Sequence, residues 1–438
     1  MLVKLSRFFL FLAPLAIILV NPATLFPFIV TKYVFFRTVV DLSLIFFIWA
    51  WATNKVKINW KDFKKPLAIG VIVWVGIFLL SSIFAYDSWA AFWGNFERGE
   101  SGVQLLHLFI FFFLCTVLLK NSFDWLKMLN IILVAVFLVI LYGLLINIVP
   151  GLVGPAFSFQ NRFQGSLGNP DYIGQVMMFT MFFALYLSLA SLEPKEKIMY
   201  ILWAFLFLFF FVLSQTRGAF LGFVSGLGLF LLYLVFKSPS KKGKLISSIL
   251  LIVAVLGVTT LIVFRHSPIV SKIPIVNRFA DISLQSGAAR IWTWGSAVKG
   301  IEARPIFGWG PENFSVVFDK YFDPRHFNPI SGGETWFDRA HSIIFDYAAE
   351  TGLVGLAAYL GMFVLYYVQL IKWVKQHKKS AFDEHKHHNS YNQIFLQALF
   401  FVMPVVYIIT GITLFDVLPM YIMLFVFLAF SNYKLNNG

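Results

Sequence analysis

The chain has 438 residues, 59% of them hydrophobic and 13% charged, with a formal net charge of +14. A soluble domain is about half apolar and a quarter charged, so this composition excludes a water-soluble globular protein. The basic excess lies in short segments between apolar stretches, which fits membrane orientation and argues against a nucleic-acid partner.

Stretches of about 20 apolar residues, each long enough to cross a ~30 Å hydrocarbon layer as a helix, recur throughout. They predict an all-α polytopic membrane protein. About twelve spans are expected, near residues 8–20, 34–52, 67–84, 103–119, 128–148, 173–191, 198–215, 218–236, 245–264, 352–371, 393–410 and 414–430. The opening stretch MLVKLSRFFLFLAPLAIILV has the form of a secretory signal. Its removal would leave only further spans, so it reads as a retained first helix. Residues 1–438 read as one integral membrane domain, with residues 265–351 as a large extracytoplasmic loop between the ninth and tenth spans. The one cysteine, Cys115, lies within a span and excludes an intramolecular disulfide and a cysteine metal cluster.

Lysines cluster at 55–65, 237–244 and 372–379, and the positive-inside rule places these segments and both termini in the cytoplasm. On that map 20 of 24 lysines are inside, against Arg7 alone of 11 arginines. An arginine presents a planar fork of donors that grips phosphate or carboxylate bidentately, as lysine does not. The segregation reads either as a preference of the outer interface for arginine or as an extracytoplasmic anion site.

Within the chain-order reading, AYDSWAAFWGNFERGESG (85–102) sets Trp89, Trp93 and Phe96 beside Glu97, Arg98 and Glu100, a pattern also typical of an interfacial aromatic belt. NRFQGSLGNPDYIG (161–174) places Arg162 ahead of a turn from which Asn169 would cap the next helix. The apolar run from Met199 to Phe236 carries one full charge, Arg217, and is long enough for two crossings. A hairpin with SQTRG at its tip, turned at Gly218, lifts Arg217 to the outer membrane surface, where a lipid headgroup lies.

In the large loop, GAARIWTWGSAVKGIEARPIF predicts an amphipathic helix from Ala288 to Ala303, ended by Pro305, with Ile291, Trp294, Val298 and Ile301 on one face and Arg290 toward the outer vestibule. RAHSIIFDYAAETGLVGLAAYL (339–360) opens a short helix at His341 and breaks at Gly352. For His341 a structural and a catalytic role both stand. His107 reads as a hydrogen-bonded histidine within a span, and His377, His385, His387 and His388 as part of a solvated polar segment. HExxH spacing and outward DxD pairs are both absent, so no metal and no cofactor are expected.

SQTRGAFLGF, GWGPENF and HSIIFDYAAETGLVG, preceded by AAFWGNFERGESG and RFQGSLGNPDYIG, resemble the O-antigen ligase and polymerase family over about residues 85–360. The resemblance implies a metal-independent, inverting glycosyltransferase of the GT-C type in the inner membrane. Its donor would be a glycan on a polyprenyl diphosphate such as undecaprenyl diphosphate, and its acceptor a hydroxyl of lipid A–core or another surface glycoconjugate, used on the periplasmic face. By position Arg217 and Arg290 match the arginines that bind the donor diphosphate, His341 the histidine that activates the acceptor, and Arg98 and Arg162 supporting residues. Surface-polysaccharide polymerase and protein O-oligosaccharyltransferase are alternatives within the family. An anion transporter is the rival from another class, and transporters favour mid-membrane sites on broken helices.

Overall fold

A computed structural model covers the chain and describes residues 1–95, 97–146, 148–149, 161–280, 287–327, 335–380 and 387–437. Regular structure among the described residues is helical: α1 (Leu2–Leu12), α2 (Val30–Ala52), α3 (Pro66–Ile83), α4 (Ser88–Trp93), α5 (Gly102–Leu118) and α6 (Ser122–Leu145) come first. There follow α7 (Pro170–Ala190), α8 (Pro194–Ser214), α9 (Arg217–Lys237), α10 (Lys241–Val263), α11 (Pro268–Lys272) and α12 (Pro274–Ala280). The chain finishes with α13 (Ala288–Ala303), α14 (Phe314–Lys320), α15 (Ile343–Ser380), α16 (His387–Gly411) and α17 (Leu418–Asn437).

Ten of these helices are long and apolar enough to cross a membrane, and the chain is a multi-pass membrane protein. The remaining expected spans are α5, which is apolar but only 17 residues long, and residues 8–20, where α1 yields at Ala13 to a 3-10 turn containing Pro14. A proline cannot donate the next helical hydrogen bond, which accounts for the change.

The chain divides into two compact units, one of Met1–Val139, Ser283–Gln369 and Gly411–Gly438, the other of Ile140–Ile282 and Leu370–Thr410. In the first, α17 is the central helix, with 83% of its apolar window covered. Around it, Ser6 and Ser43 exchange hydroxyl-to-carbonyl hydrogen bonds of 2.8 and 2.9 Å, locking α1 to α2. His107 hydrogen-bonds the Val103 carbonyl and the Asp41 carboxylate, the satisfied span histidine that the sequence suggested.

In the second unit α7 is central, again 83% covered, whereas only 6% of α10 is covered, which leaves that helix for lipid. Asn169 accepts the Asp171 amide as the cap of α7, and Pro170 takes the first helical position, where a missing N–H costs nothing. Gly222 and Gly226 of α9 lie hard against Val406 and Thr410 of α16, so the spacing of four lets the Thr410 and Val406 side chains seat directly on the α9 backbone.

The break expected at Gly352 is present: α15 kinks there, with φ +70° and ψ −179°, a conformation essentially reserved for glycine. The kink frees backbone groups, and residues 305–310 satisfy them. Leu353 and Val354 donate to the carbonyls of Pro305 and Ile306, while Trp309 and Gly310 donate to those of Ala349 and Glu350, at 2.7–3.4 Å. A Cβ on Gly352 would collide with the Ile306 carbonyl. Gly352→Ala is therefore expected to destabilise by roughly 3 kcal/mol and lower the thermal midpoint in detergent. Gly257→Ala, in open space on α10, is the control and should leave the midpoint unchanged.

Candidate active site

The loop 335–342 holds His341, and three things fix it in place. Residues 308–311 lie against the kinked start of α15, as above. From α13, the Trp294 indole donates to the Ala340 carbonyl at 2.9 Å and stacks on Phe345 at 5.1 Å. At the start of α15, Asp346 accepts the Ala340 amide at 2.6 Å. Beneath them an apolar cluster of Ala297, Trp309, Phe314, Phe318 and Phe337 closes the core.

Helix α13 has the predicted bounds, and it packs on the rest of the chain by a face other than that of Ile291 and Val298. The buried residues are Thr293, Ser296, Ala297 and Gly300, while Ile291 and Val298 are exposed. Gly300 sits against Val317 of α14 and its carbonyl accepts the Trp309 indole N–H, so close approach of small residues, rather than bulk apolar area, seats the helix. Trp294 and Ile301 still pack partly against the core.

Behind His341 lies a buried ion cluster. The Arg339 guanidinium reaches Glu312 and Glu350 at 2.5 Å each and Glu100 at 3.6 Å, and all four side chains are at most 7% exposed. Burial alone would lower the arginine's pKa, but Glu350, Glu312 and Glu100 outweigh it and hold Arg339 firmly charged. For Glu100 and Glu312 burial dominates and pushes both carboxyls above their usual range, against the pull of Arg339. A single guanidinium thus ties the loop 94–101, the 308–313 turn and α15 to one point. Glu100 Oε1, Asp346 Oδ2 and Arg339 Nε remain buried without a partner among the described residues, bordering a cavity of about 30 Å³, room for a water.

His341 projects from this frame with φ +56°, a backbone strain that the surrounding contacts must sustain. Its ring stands edge-on between Phe337 and Phe415, at 5.4 and 5.0 Å. Nδ1 lies 3.1 Å from the Arg339 carbonyl. A carbonyl only accepts, so Nδ1 carries the proton and Nε2 keeps its lone pair. Burial lowers the imidazole pKa from 6.5, and the charges of Arg290 and Arg98 lower it further, against the Arg339 carbonyl and Asp338, which raise it. The group is a neutral base at pH 7.

Arg290 and Arg98 are accordingly close enough to His341 to act on its titration. Arg98 is already engaged: it forks onto Asp338 at 2.6 and 3.1 Å and lies over Phe415 at 5.1 Å, so it braces the histidine's ring partner. Burial alone would raise the Asp338 pKa, but the hydrogen bond and charge of Arg98, with the charges of Arg339 and His341, together outweigh it and lower the pKa. Arg290, half-buried, has no ion pair among the described residues.

In the other unit Arg217 stands at the tip of the α8–α9 hairpin, as predicted, but the turn differs. Gln215, with φ +49°, takes the left-handed position that ends α8, and Gly218 lies inside the first turn of α9. Only two residues separate the helices, so the reversal falls immediately after Ser214, and the Gln215 amide supports it by donating to the Asn161 carbonyl at 3.3 Å. Arg217 Nε donates to the Arg278 carbonyl at 3.0 Å, and Arg278 Nε to the Gln215 carbonyl at 3.1 Å. These reciprocal bonds orient both guanidinium groups at the hairpin. Arg278 was not singled out by sequence. Arg162 is a clip: it pairs with Asp171 and donates to the Ser214 carbonyl and the Thr216 hydroxyl, fastening the start of α7 to the hairpin.

Among the described residues no group of three or more His, Cys, Asp or Glu has the geometry to hold a metal ion. Phe96, residues 281–286 and 328–334, and the side chains of His377, His385, His387 and His388 lie outside what is described.

Residues 202–360 match the family model described as O-antigen ligase. Comparison with curated proteins gives no match. Arg217, Arg290, Arg339 and His341 fall inside the matched region, and Arg98 and Arg162 outside it.

Removing Arg339 would leave buried carboxylates uncompensated, which costs about 3–5 kcal/mol. Arg339→Met should therefore abolish a cooperative melt in detergent, and Arg339→Lys, which keeps the charge but not the fork, should lower the midpoint by less. Wild-type melting of the methionine variant would show the cluster to be dispensable.

Proposed function

We propose, from the match of residues 202–360 to the O-antigen ligase family model, that this membrane protein is a metal-independent, inverting transferase. It passes a glycan from a polyprenyl diphosphate to a hydroxyl of lipid A–core or a related surface acceptor, on the outer face of the inner membrane, with both termini cytoplasmic. The family assignment supports glycosyltransferase activity on lipid-linked glycan in general. The observation that carries the finer reading is the state of His341: a half-buried, neutral imidazole with its proton on Nδ1 and no hydrogen-bond partner at Nε2 among the described residues, beside a guanidinium, Arg290, with no ion-pair partner among the described residues.

In this reading Nε2 takes the acceptor's hydroxyl proton as the oxygen attacks the sugar's anomeric carbon. The bond from that carbon to the diphosphate oxygen breaks, its electron pair leaves with the polyprenyl diphosphate, and a single displacement inverts the configuration. The imidazolium returns its proton to water. General-base assistance of this kind contributes about 10²–10⁴-fold. The motifs in which they stand assign Arg290 and Arg217 to the departing diphosphate, and bidentate donors of this kind stabilise a growing anion. Their fixed charge supplies what a divalent ion would otherwise supply. Arg98 and Arg162 are supporting residues, the first steadying Phe415 and the loop, the second the hairpin.

Purified protein given polyprenyl-diphosphate glycan and acceptor should release free polyprenyl diphosphate at an undiminished rate in EDTA. Arg217→Ala, Arg290→Ala and His341→Ala should each lower that rate by at least about 100-fold with folding intact. Transfer that survives the three substitutions, or that requires a divalent cation, would overturn the mechanism. Anion flux in vesicles without glycan product would replace the transferase with a transporter.

A further inference from the structure

The first unit carries a second built feature, outside the site above. A groove of about 680 Å³ runs between α1 with the turn that follows it and the first half of α6. Its lining is graded. At the end where both helices begin stand Lys4, Arg7, Asp124 and Lys127; farther along lie Phe8, Phe11, Leu12, Leu15, Ile131 and Val134. Both helices start from this end, so at 1.5 Å per residue Lys4 and Leu15 are separated by roughly 16 Å of rise.

The charges at the mouth do not cancel. Arg7 is held at the floor of the groove: it donates to the Leu118 carbonyl, the last of α5, at 2.6 Å and reaches Asp124 at 3.4 Å. Its Nε, and Asp124 Oδ2, are buried without a partner among the described residues. Lys4 and Lys127 are exposed, and neither has a carboxylate within ion-pair distance among the described residues. Lys127 is instead held over the Phe11 ring at 4.6 Å, which fixes its ammonium at the groove's edge. One acid against three cations leaves a net charge of +2 at the mouth of an apolar channel.

We propose that this groove is a binding site for an anionic phospholipid, whose headgroup phosphate sits among Lys4, Arg7 and Lys127 and whose acyl chain lies along Phe8, Leu12, Leu15, Ile131 and Val134. Basic pockets between transmembrane helices have the chemistry to hold such headgroups, and juxtamembrane cations contribute on the order of 1 kcal/mol each toward an anionic lipid. A zwitterionic lipid offers the same phosphate but brings an ammonium against the two lysines. A soluble phosphate would leave the apolar part of the groove empty. The site rests only on the chain's placement in a membrane, and is independent of the transferase reading.

The test is native mass spectrometry of the full-length protein in detergent, titrated with phosphatidylglycerol or phosphatidylcholine of identical chains. One phosphatidylglycerol per chain should be retained in preference to phosphatidylcholine. The double substitution Lys4→Gln/Lys127→Gln should weaken phosphatidylglycerol retention by roughly 30-fold, the loss of two such charges. Leu12→Trp, which fills the channel and keeps every charge, should weaken it too, while glycerol phosphate at millimolar concentration should not displace the lipid. Equal retention of the two lipids, indifference to the lysine substitutions, or displacement by glycerol phosphate alone would overturn the proposal. Thermal midpoints of the variants separate lost binding from lost folding, and the surface lysine variant decides the matter if Leu12→Trp does not fold.

Discussion

One guanidinium, buried among three carboxylates, organises the part of the chain where chemistry is proposed. Arg339 joins Glu100, Glu312 and Glu350, which lie 11 to 239 positions away in sequence. Apolar packing is non-directional and would tolerate several placements of the loop 335–342. An arginine fork with fixed partners is directional. Desolvating these charges is expensive and makes the cluster poor evidence for stability. Its consequence is positional: the carbonyl of Arg339 is the acceptor for His341 Nδ1, so the residue that anchors the loop also sets the histidine's tautomer.

That coupling explains a strained residue. His341 occupies a left-handed conformation that non-glycine residues seldom adopt, and it does so directly after Arg339, locked in the cluster, and Ala340, whose amide and carbonyl are both bonded. Aromatic walls on two sides remove water from the ring. Burial and neighbouring arginines then disfavour a second proton. Each factor pushes the imidazole toward the same neutral state. At the α8–α9 hairpin, reciprocal carbonyl bonds likewise orient Arg217 and Arg278.

Much of this was legible in the sequence because it is local. Span positions follow from apolar runs, the bounds of α13 from Pro305, the cap of α7 from Asn-Pro, and the kink of α15 from Gly352. His341, Arg217 and Arg290 stood out because motif order and an isolated charge marked them. The long-range partners were not legible. Glu100, Glu312 and Glu350 sit in three separate motifs, and nothing in spacing says that they converge on Arg339. Nor does it say that Arg98 and Arg162 are committed to Asp338 and Asp171. Where a local rule misled, geometry had overridden it: Gln215 turns the hairpin because the turn falls three positions too early for Gly218.

The central claim is that a neutral His341, kept so by burial and by Arg290, accepts the acceptor's proton. The most direct measurement is the pH dependence of kcat/KM for glycan transfer. A base whose pKa lies below 6.5 is fully competent above that pH and loses activity only as pH falls through its own lowered value. The acid limb should therefore fall below 6.5, and Arg290→Gln, which removes a repelling charge, should move it upward while reducing the rate. An acid limb at or above 6.5 that ignores Arg290→Gln would contradict the account.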